Sequence, residues 1–338
     1  MLIQCKPCFA IDVLCALTNR GRSYNSNSAV HRQIVDACKG QKILPDAWAL
    51  SLALMTEYSL TEIEQMGLEQ LQKEYPSLMG NSELLHSSIE GVGCALSRLQ
   101  QSGFEELYKQ HCHPYVERWC QALNARLFDL ELGGVGRDVQ NLFRNPSCQI
   151  VTVYLSYFSY PASFSLSRSV LVTSGRVGKK FHIIPMLRQV IHELLHGFIK
   201  KELVSSYLSL CENDSYLKRT RWYLTNCLGA LEEEEFVVAL EHAIAVKNQI
   251  ETRHEAEKAL AAEYEGCMPV AVLLFDELSC QSTPPEDIDR FLVGFLEKIS
   301  APSFSPSAKV NEIIPGYSNS FDKIWKHDKR ILNESAPL

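Results

Sequence analysis

The stretch Met186-Leu-Arg-Gln-Val-Ile-His-Glu-Leu-Leu-His-Gly-Phe198 is the most informative part of this sequence. Its apolar residues recur at the spacing of one helix face: Leu187, Val190, Ile191, Leu194 and Phe198. This periodicity is typical of an amphipathic helix, and Pro185 stands where such a helix could start. We therefore predict a helix over 186–203 with one face buried in a core.

The face opposite this apolar stripe carries His192, Glu193 and His196. Two histidines four residues apart project from the same side of a helix, one turn apart, so both imidazoles can reach one metal ion. A glutamate between them lies beside the metal, where it can deprotonate a metal-bound water. Because a structural histidine more often stands singly on the apolar side, the separation into two faces favours a metal site.

The composition is that of an ordinary globular protein. The chain has 338 residues, 46% hydrophobic and 22% charged, which suits one large or two modest domains. A net charge of −7 argues against a general binder of nucleic acids or anionic membranes. No apolar run reaches membrane-spanning length, and Lys6 and Asp12 interrupt any signal-like core near the start. The twelve cysteines are scattered, as expected of free thiols in the reducing cytoplasm.

The chain divides into three regions that differ in residue pattern and composition. Residues 1–145 have mostly helical patterns, 146–300 begin with strand-like runs and contain the histidine helix, and 301–338 form a Ser- and Pro-rich tail. The strand-like runs are Gln149 to Phe158 and Ser169 to Thr173. We predict an α+β fold, mainly helical, with a small antiparallel sheet next to the helix that carries the histidines. The tail is expected to be irregular, and the regions could also form one integrated domain.

A catalytic zinc ion held by two histidines needs a third protein ligand and one open position. The richest source of carboxylates is the run Leu231 to Glu241, which is typical of a second helix ending near Lys247. This helix is apolar on two sides, and a buried carboxylate needs a partner, which a metal ion could be. By periodicity the candidates are Glu234 and Glu241 on one side and Glu233 on the other, with Glu235 as a further alternate. For each glutamate of the run, a solvated helix start is the alternative interpretation.

The order of these residues resembles that of the gluzincins, the thermolysin-like zinc peptidases, in which two histidines of one helix and a glutamate of a second helix bind zinc. His192 to Phe198 is also similar to the H-E-F-x-H-S-F motif of a poorly characterised bacterial group. In that group apolar or small residues follow the glutamate at two, three and five positions, as Phe236, Val237 and Ala239 follow Glu234. The resemblance covers about residues 150 to 247, and Val238 stands where that group tends to carry arginine.

This resemblance implies a zincin-like catalytic domain over 146–300, with one Zn²⁺ ion bound by His192, His196 and Glu234. It implies a zinc-dependent peptidase acting on a peptide or protein, with Glu193 as the base that later passes its proton to the leaving amine. Three residues are candidates for stabilising the oxyanion by chain position alone: Tyr216, Tyr223 and His242. The alternatives are a metal-binding regulator without peptidase activity and a helical interaction module in which the motif is accidental.

Overall fold

The computed structural model describes residues 2–19, 29–79, 88–129, 138, 150–159, 163–174, 182–281, 285 and 287–328. The chain forms two compact units, one of residues 1–133 with 148–193 and the other of residues 134–147 with 194–338. The expected boundary between residues 145 and 146 lies outside the described residues. The first unit combines the N-terminal helices with the strands that were expected to open a separate domain.

The first unit is mainly helical. Its helices are α1 (Phe9–Thr18), α2 (Ala29–Cys38), α3 (Ala47–Glu57), α4 (Leu60–Gln65), α5 (Leu68–Met79), α6 (Ile89–Gln101), α7 (Phe104–His111) and α8 (His113–Asp129). Helix α1 is buried from Ala10 to Thr18 and forms the centre of the core of this unit. Burial on all sides explains why its sequence is mostly apolar and lacks a polar stripe.

A four-stranded sheet belongs to the same unit. Its strands are β1 (Leu2–Pro7), β2 (Ile150–Ser156), β3 (Phe164–Ser167) and β4 (Val170–Ser174), in the spatial order β1-β2-β4-β3. The strands predicted at Gln149 to Phe158 and Ser169 to Thr173 are confirmed as β2 and β4. All five residues of β4 are buried, as are six of the seven in β2. Such continuous burial is typical of central parallel strands.

The sheet is mixed, so the prediction of an antiparallel sheet is wrong. Strand β2 pairs in parallel with both β1 and β4, and only β3 and β4 are antiparallel. The parallel pairing of β1 with β2 is possible because the helical region between them provides a long crossover, which parallel strands require. Strands β3 and β4 can be antiparallel because two residues, Arg168 and Ser169, join them directly.

A buried carboxylate ties helices α1 and α7 to the end of β2. Asp12 is 1% exposed and accepts hydrogen bonds from the hydroxyls of Tyr108 (2.6 Å) and Ser156, and from the amide of Phe158 (3.1 Å). Burial raises the pKa of the Asp12 carboxyl above its usual value. Since each of these groups donates a hydrogen bond, the buried Asp12 carboxylate has its hydrogen-bond partners within the protein.

The helix predicted over 186–203 is observed as α9 (Ile183–His196), and the next helix, α10, begins only at Lys201. The predicted stripe is confirmed, because Leu187, Val190, Ile191, Leu194 and Phe198 are all at most 8% exposed. The helix ends early because Gly197 disfavours its continuation. The amides of Gly197 and Phe198 close the last turn on the carbonyls of Leu194 and Leu195, three residues back.

The described residues of the second unit form helices and the turns between them. The helices are α10 (Lys201–Asn213), α11 (Ser215–Asn226), α12 (Glu234–Lys247), α13 (Arg253–Ala262), α14 (Pro269–Ser279), α15 (Ile288–Ile299), α16 (Pro306–Ile313) and α17 (Tyr317–His327), with a 3₁₀ turn at Glu263–Gly266. Helices α16 and α17 correct the expectation of an irregular tail over 301–338 as far as residue 328, and residues 329–338 lie outside the described part of the chain. Pro306 fits the first turn of a helix, and Val310, Tyr317 and Phe321 are buried, so packing stabilises these short helices.

Helix α12 is buried on all sides along most of its length, which exceeds the burial on two sides that the sequence predicts. Every residue from Glu234 to His242 is buried. Glu235 has its partners within the protein: its carboxylate accepts from the amides of Val270 (2.6 Å) and Ala271 (3.0 Å) at the start of α14 and from the hydroxyl of Tyr207. Burial raises the pKa of Glu235 to about 7.

Within the described part of the chain, no helix has both the length and the apolar character needed to cross a bilayer. Most of the eleven described cysteines are buried. Buried thiols of this kind pack as small apolar side chains.

Candidate metal centre

Helix α9 positions two histidines on one side of its last two turns. His192 and His196 are half-buried, whereas the apolar stripe of the same helix is buried. The four-residue spacing places the two imidazoles one above the other, as the sequence predicts. Both rings are therefore available to groups beside the helix.

Glu234, the first residue of α12, completes a set of three. His192, His196 and Glu234 each offer a ligand atom, and these atoms lie within 4.8 Å of one another. Among the described residues, this is the one set of three histidines, cysteines or acids that could hold a metal ion. The two imidazoles and one carboxylate match the donors of many catalytic metal sites.

One distance between two of these ligand atoms can be compared with the spacing that a shared metal ion requires. Two ligands about 2.1 Å from a tetrahedral ion lie roughly 3.4 Å apart. The Nε2 atom of His196 is 3.6 Å from the Oε2 atom of Glu234. This separation exceeds a good hydrogen bond and agrees with two atoms that share an ion, so the residues present fit a metal.

Glu233 contacts the same histidine from its other side. Its Oε1 atom is 3.0 Å from Nδ1 of His196, and contact with this imidazole lowers the pKa of Glu233. A carboxylate on one ring nitrogen fixes the ring and directs the other nitrogen toward a metal. Glu233, an alternate ligand by periodicity, therefore lies at the orienting position of this site.

The other two alternates have different surroundings. Glu235 caps helix α14, as described above. Glu241 is 4% exposed and lies seven residues after Glu234 on α12, which is about 10 Å along the helix axis. Glu241 does not belong to the set of ligand atoms that lie within 4.8 Å of one another.

The candidate base, Glu193, is contacted by a serine of the sheet. Glu193 is 8% exposed, and the hydroxyl of Ser165 on β3 donates to its backbone carbonyl (2.7 Å) and lies 3.3 Å from Oε2. This carbonyl is in the last turn of α9, where helix carbonyls lack partners further along the helix. Ser165 thus supplies a donor to the main chain of Glu193 and lies next to its carboxylate.

The three oxyanion candidates are buried, and two of them, Tyr223 and His242, lie beside carboxylates. The Tyr223 hydroxyl contacts the carboxylates of Glu265 and Asp328, and Nδ1 of His242 is 2.6 Å from Glu251. The Tyr216 hydroxyl has no hydrogen-bond partner among the described residues. Carboxylates beside Tyr223 and His242 would repel an oxyanion, so these surroundings do not favour the expected role.

Sequence reasoning missed two residues that contact the candidate site. Ser165 lies in an edge strand too short to show a strand pattern, and nothing in the sequence links it to Glu193. Tyr264 donates its hydroxyl to Oε1 of Glu234. The sequence places Tyr264 in a charged segment typical of a solvated helix, and only the following Gly266 signals an irregular backbone.

Comparison with protein families, with curated proteins and with solved structures finds no significant match to this chain.

Proposed function

We propose that this protein is a zinc-dependent hydrolase of the gluzincin type that cleaves peptide bonds. The observation that carries the proposal is the convergence of His192, His196 and Glu234, with Glu193 on the same helix turn as the histidines. Two imidazoles with one carboxylate form a set found in catalytic zinc sites. A neighbouring buried carboxylate is the group that hydrolysis requires in addition.

The ligands are held in a way that suits one ion. Glu233 holds Nδ1 of His196, so Nε2 faces Glu234. Three protein ligands leave a fourth position for water or substrate, as in catalytic rather than structural zinc sites. When bound, zinc would acidify a water molecule and polarise the scissile carbonyl.

Glu193 performs the proton transfers in this proposal. Its carboxylate accepts a proton from the attacking water and passes it to the leaving amine as the peptide bond breaks. Ser165 contacts both its carbonyl and its carboxylate, and so restricts the directions in which the side chain can point. The substrate is a peptide or protein. We also place the enzyme in the cytoplasm, because its cysteines are scattered without the compact spacing of a disulfide framework.

Metal analysis of the full chain, purified without chelator, tests the first part. We expect one zinc ion per chain by plasma mass spectrometry. Iron in place of zinc would contradict the assignment of the metal, because two histidines and a carboxylate also suit ferrous iron. A chain without bound metal, even after incubation with Zn²⁺, would overturn the proposal.

Cleavage of a peptide library by the zinc-loaded protein tests the second part. We expect Glu193→Gln to retain zinc and to lose about 100-fold or more of the cleavage rate. Glu232→Gln is the matched control, because Glu232 is an exposed member of the glutamate run. Full cleavage by Glu193→Gln would contradict the mechanism. Stoichiometric zinc without any cleavage by the wild type would instead identify a metal-binding protein without peptidase activity.

A further inference from the structure

The segment between α13 and α14 has an unusual backbone. Tyr264 and Glu265 have φ values of +49° and +58°, and Gly266 follows with +74°. The left-handed region is readily adopted by glycine but is uncommon for other residues, and two such residues in succession are rarer still. Conformations of this kind persist when surrounding contacts hold them, and they cluster at functional sites.

The contacts that hold this turn come from several elements of the second unit. The Glu265 carboxylate contacts the hydroxyl of Tyr223 on α11, which is also 2.6 Å from Asp328 at the end of α17. The thiol of Cys267 donates to the carbonyl of Tyr264 (2.7 Å). The turn is therefore anchored both through a side chain and through its main chain.

The same turn directs a tyrosine hydroxyl at the candidate ligand. Tyr264 donates to Oε1 of Glu234, while Oε2 of this carboxylate faces Nε2 of His196 at 3.6 Å. A hydrogen bond to one oxygen fixes the rotation of a carboxylate and presents the other oxygen in one direction. Glu234 is 5% exposed, and a donor at Oε1 also lowers the cost of burying its charge.

We propose that Tyr264 is the positioning residue of Glu234, and that the left-handed turn Tyr264 to Gly266 holds its hydroxyl at Oε1 so that Oε2 alone is presented to the metal. This inference rests on the proposed metal site. Tyr264 acts through Glu234 and contacts neither substrate nor metal. The anchoring of Glu265 by Tyr223 extends the support of the ligand to α11 and α17.

Zinc affinity of the full chain, measured by competition with a chromophoric chelator, tests this role. We expect Tyr264→Phe, which keeps the ring and removes the hydroxyl, to weaken Zn²⁺ binding about 10- to 100-fold. Tyr75→Phe is the matched control, because it removes another buried tyrosine hydroxyl, one that lies on α5 and has no hydrogen-bond partner among the described residues. We expect its zinc affinity to equal that of the wild type.

The absorption spectrum of the Co²⁺-loaded protein provides a readout that a purely structural role would not change. Release of Oε1 allows Glu234 to bind through both oxygens, so the visible bands of the Tyr264→Phe protein should differ from those of the wild type. A second variant, Glu265→Ala, changes an exposed side chain and leaves Tyr264 intact. It should weaken zinc binding in the same direction but less.

The outcomes separate this inference from the proposed function. If the wild type binds one zinc ion and both Tyr264→Phe and Glu265→Ala bind zinc as tightly, with unchanged Co²⁺ spectra, the positioning role is wrong and the metal site stands. Should Tyr264→Phe fail to fold, unchanged affinity and spectrum in Glu265→Ala would overturn the role of the turn. A wild type that binds no metal overturns both proposals.

Discussion

Two buried carboxylates in this chain each accept a hydrogen bond from a tyrosine hydroxyl, but their other neighbours differ. Asp12 accepts from Tyr108, and Glu234 accepts from Tyr264. Around Asp12 these are a serine hydroxyl and a backbone amide. Glu234 instead has its second oxygen facing the imidazole of His196. Both acids lie on helices that are buried on all sides, so the same sequence feature occurs in two environments.

The difference shows how a buried acid can be satisfied. Hydrogen donors alone can compensate the burial of Asp12, and its role is to join helices to the sheet. Glu234 belongs to a set of ligand atoms that also includes two imidazoles, and such a set suits a cation. The surroundings of a buried acid, more than its burial, thus distinguish a structural group from a candidate ligand.

Removal of an imidazole should have the largest effect on the metal side of this comparison. We expect His192→Ala to reduce the zinc content from about one ion per chain to roughly a tenth or less, because one carboxylate and one imidazole bind zinc weakly. Plasma mass spectrometry after dialysis measures this content. Stoichiometric zinc in the His192→Ala protein would show that the ion binds elsewhere.

Neutralising the two acids in parallel tests the comparison directly. Glu234→Gln should weaken zinc binding about 100-fold or more, since a neutral amide oxygen replaces a charged ligand. Asp12→Asn should leave zinc affinity unchanged, because the groups that contact the Asp12 carboxylate among the described residues are hydrogen-bond donors. Equal effects of the two substitutions on the dissociation constant would remove the distinction between the sites.

Removal of the Asp12 carboxylate should lower the stability of the fold and leave zinc binding unchanged. Asp12→Ala removes the acceptor of two hydroxyls in the core and one of the two acceptors of the Phe158 amide, so we expect the free energy of unfolding to fall by about 3 kcal/mol or more. Urea denaturation followed by circular dichroism measures this change. The zinc content of the folded fraction should stay at the wild-type value, and a parallel loss of zinc would argue against separate roles.

The raised pKa of Asp12 predicts a smaller, pH-dependent effect. The Asp12 carboxyl binds a proton more tightly in the folded protein than in the unfolded chain, where its pKa is about 3.9. Stability from this group is therefore fully present below that value and declines as the pH rises toward the folded pKa. Asp12→Asn cannot titrate, so the unfolding free energy of the wild type minus that of the variant should decrease over this range. A difference that is constant with pH, measured by urea unfolding, would contradict the shift.

The sequence predicted the parts of the fold that depend on local patterns. The apolar stripe of α9, the strands β2 and β4, and the double burial of α12 all follow from spacing over a few residues. The direction of strand pairing and the helices of the tail were missed. Pairing depends on the path of the crossover between strands, and short helices such as α16 depend on buried contacts that propensity does not reveal.

Helix geometry is enough to predict that the two histidines, four residues apart, share one side of a helix and that Glu193 lies beside them. Which member of the glutamate run faces Nε2 of His196, and which one holds Nδ1, depends on tertiary packing. This packing also brought Ser165 to Glu193 and Tyr264 to Glu234. These residues are far apart along the chain, so their proximity depends on how complete helices and strands pack, which periodicity alone does not encode.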